Sequence, residues 1–533
     1  MPPKQPKAPD ENDLMRANPS AYDPLADVEP WEPDCDEETP GTKSATRKPS
    51  PRQAARLIEL ADANITAQIR WDGDVFVALS IGARQETVRI ESDRFAKLLR
   101  QWMYQAEKVP PSQIAVTEAQ STLAARASLE GIERPIFRRI GKDEGALYLD
   151  LADDQGRVVE VTAEGWRILP ASPVFFLRPQ SMLPLPAPVR GGSLSELFTL
   201  INLPAESHAL ALGWLVGALR PDGPFPLLAV HGEQGSGKST ACKMLRAIID
   251  PDAAPLRSVP REPRGLMIAT RQAWVLGFDN LSTLPGWLSD DLCCIATGTT
   301  FPDRQLYTND REVLFVAKQP ILINGIEELA TRADLLDRCL VLSLPTIAED
   351  RRQPESDLWG LFYAARPRLL GALLDAVSCA LRRLPEIKAK GLPRKPRMAD
   401  FAVWVTAAEP SLGLNEGGFL AAYFANISAS ADLPLEASAI AAPLRTLLDR
   451  QPRTLDGAPP SWTGTATALL SALRDCAADD ERRQRDWPRN AQGLSGQLKR
   501  LAPNLRQKGI HIEHGKAGDR KRTRTITIRS DAC

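Results

Sequence analysis

Paired cysteines, long apolar runs and paired-carboxylate strands are all missing from this chain of 533 residues. Its eight cysteines form no Cys-x-x-Cys pair, and Cys293 and Cys294 are adjacent. That spacing offers neither a zinc pattern nor a disulfide framework and reads as a chain of the reducing cytoplasm. No apolar run approaches the ~20 residues that cross a bilayer; Ala209 to Leu219 is about half that. Met1 to Lys7 is rich in Pro and Lys, so no apolar signal-peptide core is present. The expectation is a cytoplasmic protein with no membrane partner. His511 and His514 have no Cys or acid pair beside them, which argues against a metal there. A hydrophobic content of 43% with 25% charged residues is ordinary for globular protein and excludes disorder throughout or a collagen-like repeat.

The net charge of −1 hides a separation of sign. Residues 1–52 carry 11 acidic and 7 basic side chains, whereas residues 489–533 carry 11 basic and 3 acidic ones. The C-terminal end is therefore the one expected to face nucleic acid. Residues 1–52 also hold 11 prolines and almost no apolar periodicity, so they are expected to form a disordered acidic tail. Residues 53–190 mix the two periods of an α+β domain: Gln53 to Ala61 and Phe95 to Ala106 as helices, with Asp74–Ser80, Glu86–Ile90, Ala146–Leu151 and Val158–Thr162 as strands. Asp150, Asp153 and Asp154 resemble a metal cluster, but Asp-Asp-Gln-Gly at 153–156 is more simply a hairpin turn. A Pro-rich connector at 183–188 precedes a helical stretch, Leu194 to Leu219.

Residues 191–350 carry the chemistry. Phe225 to His231 has a buried-strand pattern and runs into Gly232-Glu-Gln-Gly-Ser-Gly237-Lys238-Ser239-Thr240, followed by the helical Ala241 to Ile249. This is G-x-x-x-x-G-K-[ST] with a strand before it and a helix after it. Glycines let consecutive N–H groups curl toward phosphate oxygens, and the helix N-terminus adds partial positive charge. Gly232, Glu233, Gln234, Gly235, Ser236, Gly237, Lys238, Ser239 and Thr240 are thus the expected nucleotide cradle. Lys238 is the cation for the β- and γ-phosphates, and Ser239 is a hydroxyl ligand for Mg²⁺. A dinucleotide fingerprint fails here because Thr240 occupies the third glycine position. The expected enzyme class is ATP hydrolase, with ATP and Mg²⁺ as cofactors.

Ala273 to Asn280 is a second apolar strand, ending in Asp279, 41 residues after Lys238. An acid there either holds the metal or caps the next helix. A third strand, Gln319 to Asn324, ends in an amide that either holds attacking water or simply begins an Asn-Gly turn. Arg338, before the strand Cys339 to Leu344, is an arginine finger for a neighbouring subunit or a salt-bridge partner of Asp334 or Asp337. This order of motifs resembles the AAA+ ATPases, and more narrowly the superfamily 3 and poxvirus D5-type helicases of viral, phage and mobile-element replication proteins. The resemblance covers roughly residues 195–350. It implies that Arg304-Gln-Leu-Tyr307 and Arg311 to Ala317 form a hairpin carrying Arg304 and Arg311 into a ring's central channel. It further implies Lys238, Asp279, Asn280, Asn324 and Arg338 as the catalytic set, Ser239 and Asp279 as metal ligands, and a homo-oligomeric ring, most simply a hexamer. One departure stands out: many relatives place Glu after the metal-binding Asp, and here Asn280 follows Asp279. An amide orients water without accepting its proton, so slow or DNA-dependent hydrolysis is expected, with Asp290, Asp291 or an acid from another strand as substitute.

Residues 351–435 read as a helical lid, with Arg366-Pro-Arg368 opening its Ala/Leu helix. Residues 436–533 read as a small basic unit: helices at Trp462–Leu473 and Ser495–Lys508, then alternating strands Gly509–Glu513 and Arg522–Arg529 around a turn at His514–Asp519. Helix, helix and a two-stranded wing resemble a winged helix, with Lys499, Arg500, Arg506, Lys508, Arg520, Lys521, Arg522 and Arg524 as DNA contacts. The fold class expected is therefore multidomain α/β: an AAA+ P-loop core, an α+β N-terminal domain, a helical lid and a C-terminal winged helix. The function expected is an ATP-dependent DNA helicase or replication initiator of a phage or mobile element, with single- and double-stranded DNA as partners and a separate primase. A nucleotide-switched initiator or loader that does not translocate, and a non-replicative defence NTPase, remain alternatives.

Overall fold

The structure, a computed structural model, describes residues 51–82, 84–281, 284–298, 300–304, 312–325, 333–430, 432, 435, 438–451, 460–484, 486–516 and 524–531. All but the last two residues of the proposed acidic tail lie outside these. Pro51 and Arg52 instead open helix α1 (Pro51–Asp62), Pro being suited to a helix's first position because its missing N–H would have no partner there.

The antiparallel strands β1 (Ile65–Trp71), β2 (Asp74–Ile81) and β3 (Arg84–Arg89) are followed by helices α2 (Asp93–Glu107) and α3 (Gln113–Glu130). Ser92 and Ser112 cap these helices, each hydroxyl accepting a backbone N–H from three residues ahead. The short strand β4 (Ile132–Glu133) adds in parallel to β1, giving the order β3-β2-β1-β4. After β5 (Ile136–Phe137), a meander follows: β6 (Ile140–Asp143), β7 (Ala146–Asp150), β8 (Val158–Thr162) and β9 (Gly165–Leu169). β10 (Phe175–Phe176) pairs in parallel with β5. Residues 153–156 make the turn between β7 and β8. Asp150 there is fully buried and takes both guanidinium arms of Arg178 at 2.7 and 2.8 Å, so it serves an ion pair.

The stretch 194–219 is not one helix. It is two short 3-10 turns, at 194–199 and 205–207, and then α4 (His208–Ala218), with Pro204 standing between the turns. Pro204 lacks the N–H that a continuous helix needs. Next come β11 (Leu227–His231), α5 (Lys238–Ile249), α6 (Pro263–Gln272), β12 (Leu276–Leu281) and α7 (Gly286–Thr297). The hairpin β13 (Thr300–Arg304) and β14 (Glu312–Val316) leads to β15 (Ile321–Gly325), α8 (Ala333–Leu336) and β16 (Cys339–Ser343). β12, β15, β11 and β16 form a parallel sheet in that order. A single parallel bridge from Arg257 to Phe278 extends it beyond β12. β11 and β15 are buried along their whole length, as expected of strands covered on both faces. The hairpin's first strand lies earlier than the sequence suggested: β13 ends at Arg304, where the first strand was expected to start. Pro302 within it is tolerated in an outlying two-stranded ribbon.

Within residues 351–435, α9 (Glu355–Lys390) spans 36 residues and contains Arg366-Pro-Arg368 in its interior instead of beginning there. It packs on α10 (Ala399–Ala408), and α11 (Gly418–Ser430) packs on α4. One continuous apolar core joins the parallel sheet, α4, α5, α9, α10 and part of the β6–β9 meander.

In the C-terminal unit, α12 (Ala441–Asp449) precedes a strand that the sequence pattern did not reveal, β17 (Ser461–Gly464). Helix α13 (Ala466–Cys476) starts only after Thr465, whose hydroxyl caps it. After α14 (Ala491–Gln507), β18 (Ile510–Lys516) and β19 (Arg524–Ser530) pair with β17 in the order β17-β19-β18. Three strands pair here where two were expected, and His514 belongs to a strand instead of a turn. Leu469, Leu473, Leu494, Leu498 and Leu505 are buried together with Ile526 and Ile528 in a separate core.

Candidate functional site

β11 delivers the loop 232–237 at the carboxyl end of the parallel sheet, and α5 begins at Lys238. Gly232 has φ +145°, and a Cβ there would sit 2.5 Å from the carbonyl oxygen of Leu344. Gly235 and Gly237 have φ of +84° and +81°, the left-handed region that only glycine adopts without strain. Lys238 lies back over the loop, its Nζ donating to the carbonyl oxygens of Gly232 (2.6 Å) and Glu233 (2.7 Å).

Residues far apart in sequence meet at the start of α5. Ser239 Oγ donates to Asp279 Oδ1 at 3.0 Å, and Asn324 Nδ2 donates to Ser239 Oγ at 3.3 Å. Asn324 Oδ1 accepts the backbone N–H of Asn280 at 2.8 Å. The ladder between β12 and β15 is irregular between Phe278 and Leu281, and Asn280 has φ +55°. That bulge lifts Asp279 toward Ser239 while Asn280 contributes its backbone; its own side chain is exposed. Asn324 is buried, and one turn along α5 the Cys242 thiol reaches it; burial pushes that thiol up to about 12. His231, at the end of β11, is buried and held down to about 4 by burial and then by the charge of Lys238, so it is neutral at pH 7.

This donor set fits a magnesium–nucleotide complex. A hydroxyl and a carboxylate 3.0 Å apart are the hard oxygens that Mg²⁺ takes. The loop's tight curl leaves no room for a Cβ at Gly232, which would meet Leu344 O and Ser236 Oγ, and Ser236 Oγ is buried without a hydrogen-bond partner in the structure.

Comparison with known proteins bears on the same region. Residues 194–432 match the family model described as the actinomycete integrative conjugative element replication protein. Residues 440–532 match the model of the C-terminal domain of the same replication protein. The chain is similar to a mobile-element replication protein. Among curated proteins, none matches it by sequence. Among solved structures, an SCCmec type IV Cch protein titled an active helicase aligns at 10% identity and TM-score 0.40, covering 88% of this chain and 93% of that one. The apo C-terminal region of NrS-1 aligns at 12% identity and TM-score 0.38, covering 89% and 99%.

The other expected residues of this replication-type chain are scattered. Arg338 stands before β16, and its carbonyl accepts the N–H of Leu227, the first residue of β11. It is therefore at the opposite end of the sheet from its own loop, about 16 Å away by strand rise. Asp337 beside it pairs with Arg397 at 3.4 Å. Asp291 lines a small cleft with Leu266, Met267 and Thr270 of α6, where burial and then the neighbouring Asp290 raise its carboxyl. Arg368 pairs with Glu196 at 2.7 Å. Arg366 is buried, and burial together with the like charge of Arg139 pushes it down to about 10. Arg304 closes β13 opposite Glu312, while Arg311, Arg520, Lys521 and Arg522 lie outside the described residues.

On α14, Lys499, Arg500 and Arg506 are exposed, as is Arg524 on β19. Lys508 is engaged with Asp432 at 2.7 Å, so it is less open than those four.

Two residues at the loop carry no sign of their role in the sequence. Asn202 Nδ2 donates to the carbonyl oxygens of Ser236 (3.3 Å) and Pro345 (2.5 Å). Thr346 Oγ1 donates to Glu233 Oε2 at 3.1 Å. No local signal marks either one, because their partners are 34 to 143 residues away.

Proposed function

We propose that this chain is an ATP-hydrolysing motor of mobile-element replication, an AAA+ P-loop helicase of the superfamily 3 kind, acting as a ring on single-stranded DNA. The observation that carries the reading is the convergence of Ser239, Asp279 and Asn324 at the start of a helix preceded by a glycine cradle. Bound ATP with Mg²⁺ would supply the phosphoanhydride and the charge that draws these groups together. Lys238 and the loop N–H groups would hold phosphate oxygens, and Ser239 with Asp279 would hold the metal. Asn324, fixed by Asn280 N–H on one side and Ser239 on the other, would orient water without a rotamer search. Such chemistry rests on positioning and electrostatics more than on a strong base, so Asn280 in place of Glu is compatible with turnover.

The placement of Arg338 favours a site shared between subunits, since its own loop is a strand length away while a neighbour's loop could approach it. The sheet order β12-β15-β11-β16, with Arg257 bridging beyond β12, supports the AAA+ reading of the core. Helices α12, α13 and α14 with the sheet β17-β19-β18 support the winged-helix reading of the C-terminal unit, with α14 as the helix for the major groove.

Steady-state ATP hydrolysis with and without single-stranded DNA tests the proposal, with Lys238→Ala as the blank. Stimulation by DNA that Lys238→Ala abolishes is the expected result. Hydrolysis indifferent to DNA would favour the second reading, a nucleotide switch, to which the exposed amide of Asn280 lends weight.

A further inference from the structure

We infer that Asn202 is a positioning residue for nucleotide binding, acting through the peptide between Ser236 and Gly237; this rests on the ATPase reading above. Across a trans peptide the carbonyl and the following N–H point in opposite directions. Asn202 Nδ2 pulls the Ser236 carbonyl outward at 3.3 Å, which turns the Gly237 N–H inward, toward the space the loop encloses. Gly237 has φ +81° and is the N-cap of α5, so its N–H is one of the orphan donors of the helix start. A flexible glycine on either side of the serine would otherwise let this peptide rotate.

The same amide group also donates to Pro345 O at 2.5 Å, and so ties the loop to the segment leaving β16. That segment meets the loop at further points. Leu344 N–H donates to His231 O at 2.9 Å, Thr346 Oγ1 donates to Glu233 Oε2 at 3.1 Å, and the Ile347 Cδ1 atom lies 3.3 Å from where a Cβ on Gly237 would be. The segment forms a strap along the outer side of the loop, and Asn202 is the cross-piece between them. Its chemistry is specific: both partners are carbonyl oxygens, so only a donor serves. A carboxylate of the same shape would face two acceptors and push the peptide away.

The test uses the full chain as wild type, Asn202→Ala, Asn202→Asp and the Lys238→Ala blank. Binding of a fluorescent ATP analogue with Mg²⁺, kcat and KM for ATP, and the melting temperature without nucleotide are measured. Asn202→Ala is expected to weaken binding and raise KM about tenfold, the equivalent of one hydrogen bond, with kcat largely kept. Asn202→Asp, although isosteric, is expected to be worse than Asn202→Ala at an unchanged melting temperature. Wild-type affinity in both variants would overturn the inference while leaving the ATPase reading intact. So would equal losses in both variants that track a lowered melting temperature, or a fall in kcat with KM unchanged. A wild type that binds nucleotide no better than Lys238→Ala would overturn both readings together.

Discussion

At the scale of single residues, His231 is the most informative side chain outside the loop 232–240. It is 7% exposed at the end of a buried strand, and burial, aided by Lys238, holds its imidazole down to about 4. The unfolded chain takes up a proton near pH 6.5, whereas the folded one resists until about 4. The contribution to stability is therefore complete above pH 6.5 and is lost as the pH falls toward 4, by at most about 3 kcal/mol. Thermal melts across this range should show an acid-labile step that His231→Gln removes; an unchanged pH profile in the variant would refute the assignment. Asp279 and Asn324 show how far one residue can be read from sequence. Each follows the apolar run of its strand, so both were visible as candidates. The bulge that turns Asp279 onto Ser239 was not, because it depends on the register with β15.

At the scale of elements, the N-terminal meander is tied to the far end of α5 by buried charges. Arg139 is fully buried; its Nε donates to Asp250 Oδ1 at 2.9 Å, and its other nitrogens donate to the carbonyls of Asp150 and Leu183. Asp250 Oδ2 in turn accepts the N–H groups of Trp274 and Val275, just before β12. One carboxylate thus joins the meander, α5 and the strand that carries Asp279. Such a pair costs much to bury and is unforgiving once one partner is removed. Arg139→Met should lower unfolding stability by about 3–5 kcal/mol, read by denaturant titration. A loss under about 1 kcal/mol would show that the two N–H groups and Arg246, 3.9 Å away, satisfy the carboxylate without Arg139. Sequence pattern singles out Asp150 but neither Arg139 nor Asp250, because 111 residues separate that pair.

At the scale of the whole molecule, the proposed ring and the proposed DNA surface make separate claims. If each site draws Lys238 from one chain and Arg338 from the next, mixing Lys238→Ala with Arg338→Ala protein should restore hydrolysis that neither variant shows alone. Mixtures as inactive as their components would place Arg338 in a structural role. For the C-terminal unit, Lys499, Arg500 and Arg506 share the exposed surface of α14. Replacing all three with Ala should weaken duplex binding and lower the slope of log affinity against log salt by about 2–3, near 0.9 for each phosphate that is no longer neutralised. An unaltered slope in salt titrations would move the DNA surface elsewhere. Among the described residues no helix is long and apolar enough to cross a membrane.

What the sequence by itself determined is local. Strand, glycine loop and helix around Lys238 form a continuous segment, so propensity and spacing suffice to specify it. The strands carrying Asp279 and Asn324 and most N-terminal elements were legible for the same reason. Errors fell where a partner distant in sequence decides the outcome. β17 is a strand because β19 pairs with it, and Pro367 sits inside α9 because packing along a 36-residue helix outweighs its broken hydrogen bond. Only the tertiary structure brought Asn202, Pro345 and Thr346 to the loop, turned Asp279 onto Ser239, and put Arg338 at the opposite end of the sheet. Hydrogen bonds and buried charges between remote segments have no period, so no pattern in the chain announces them.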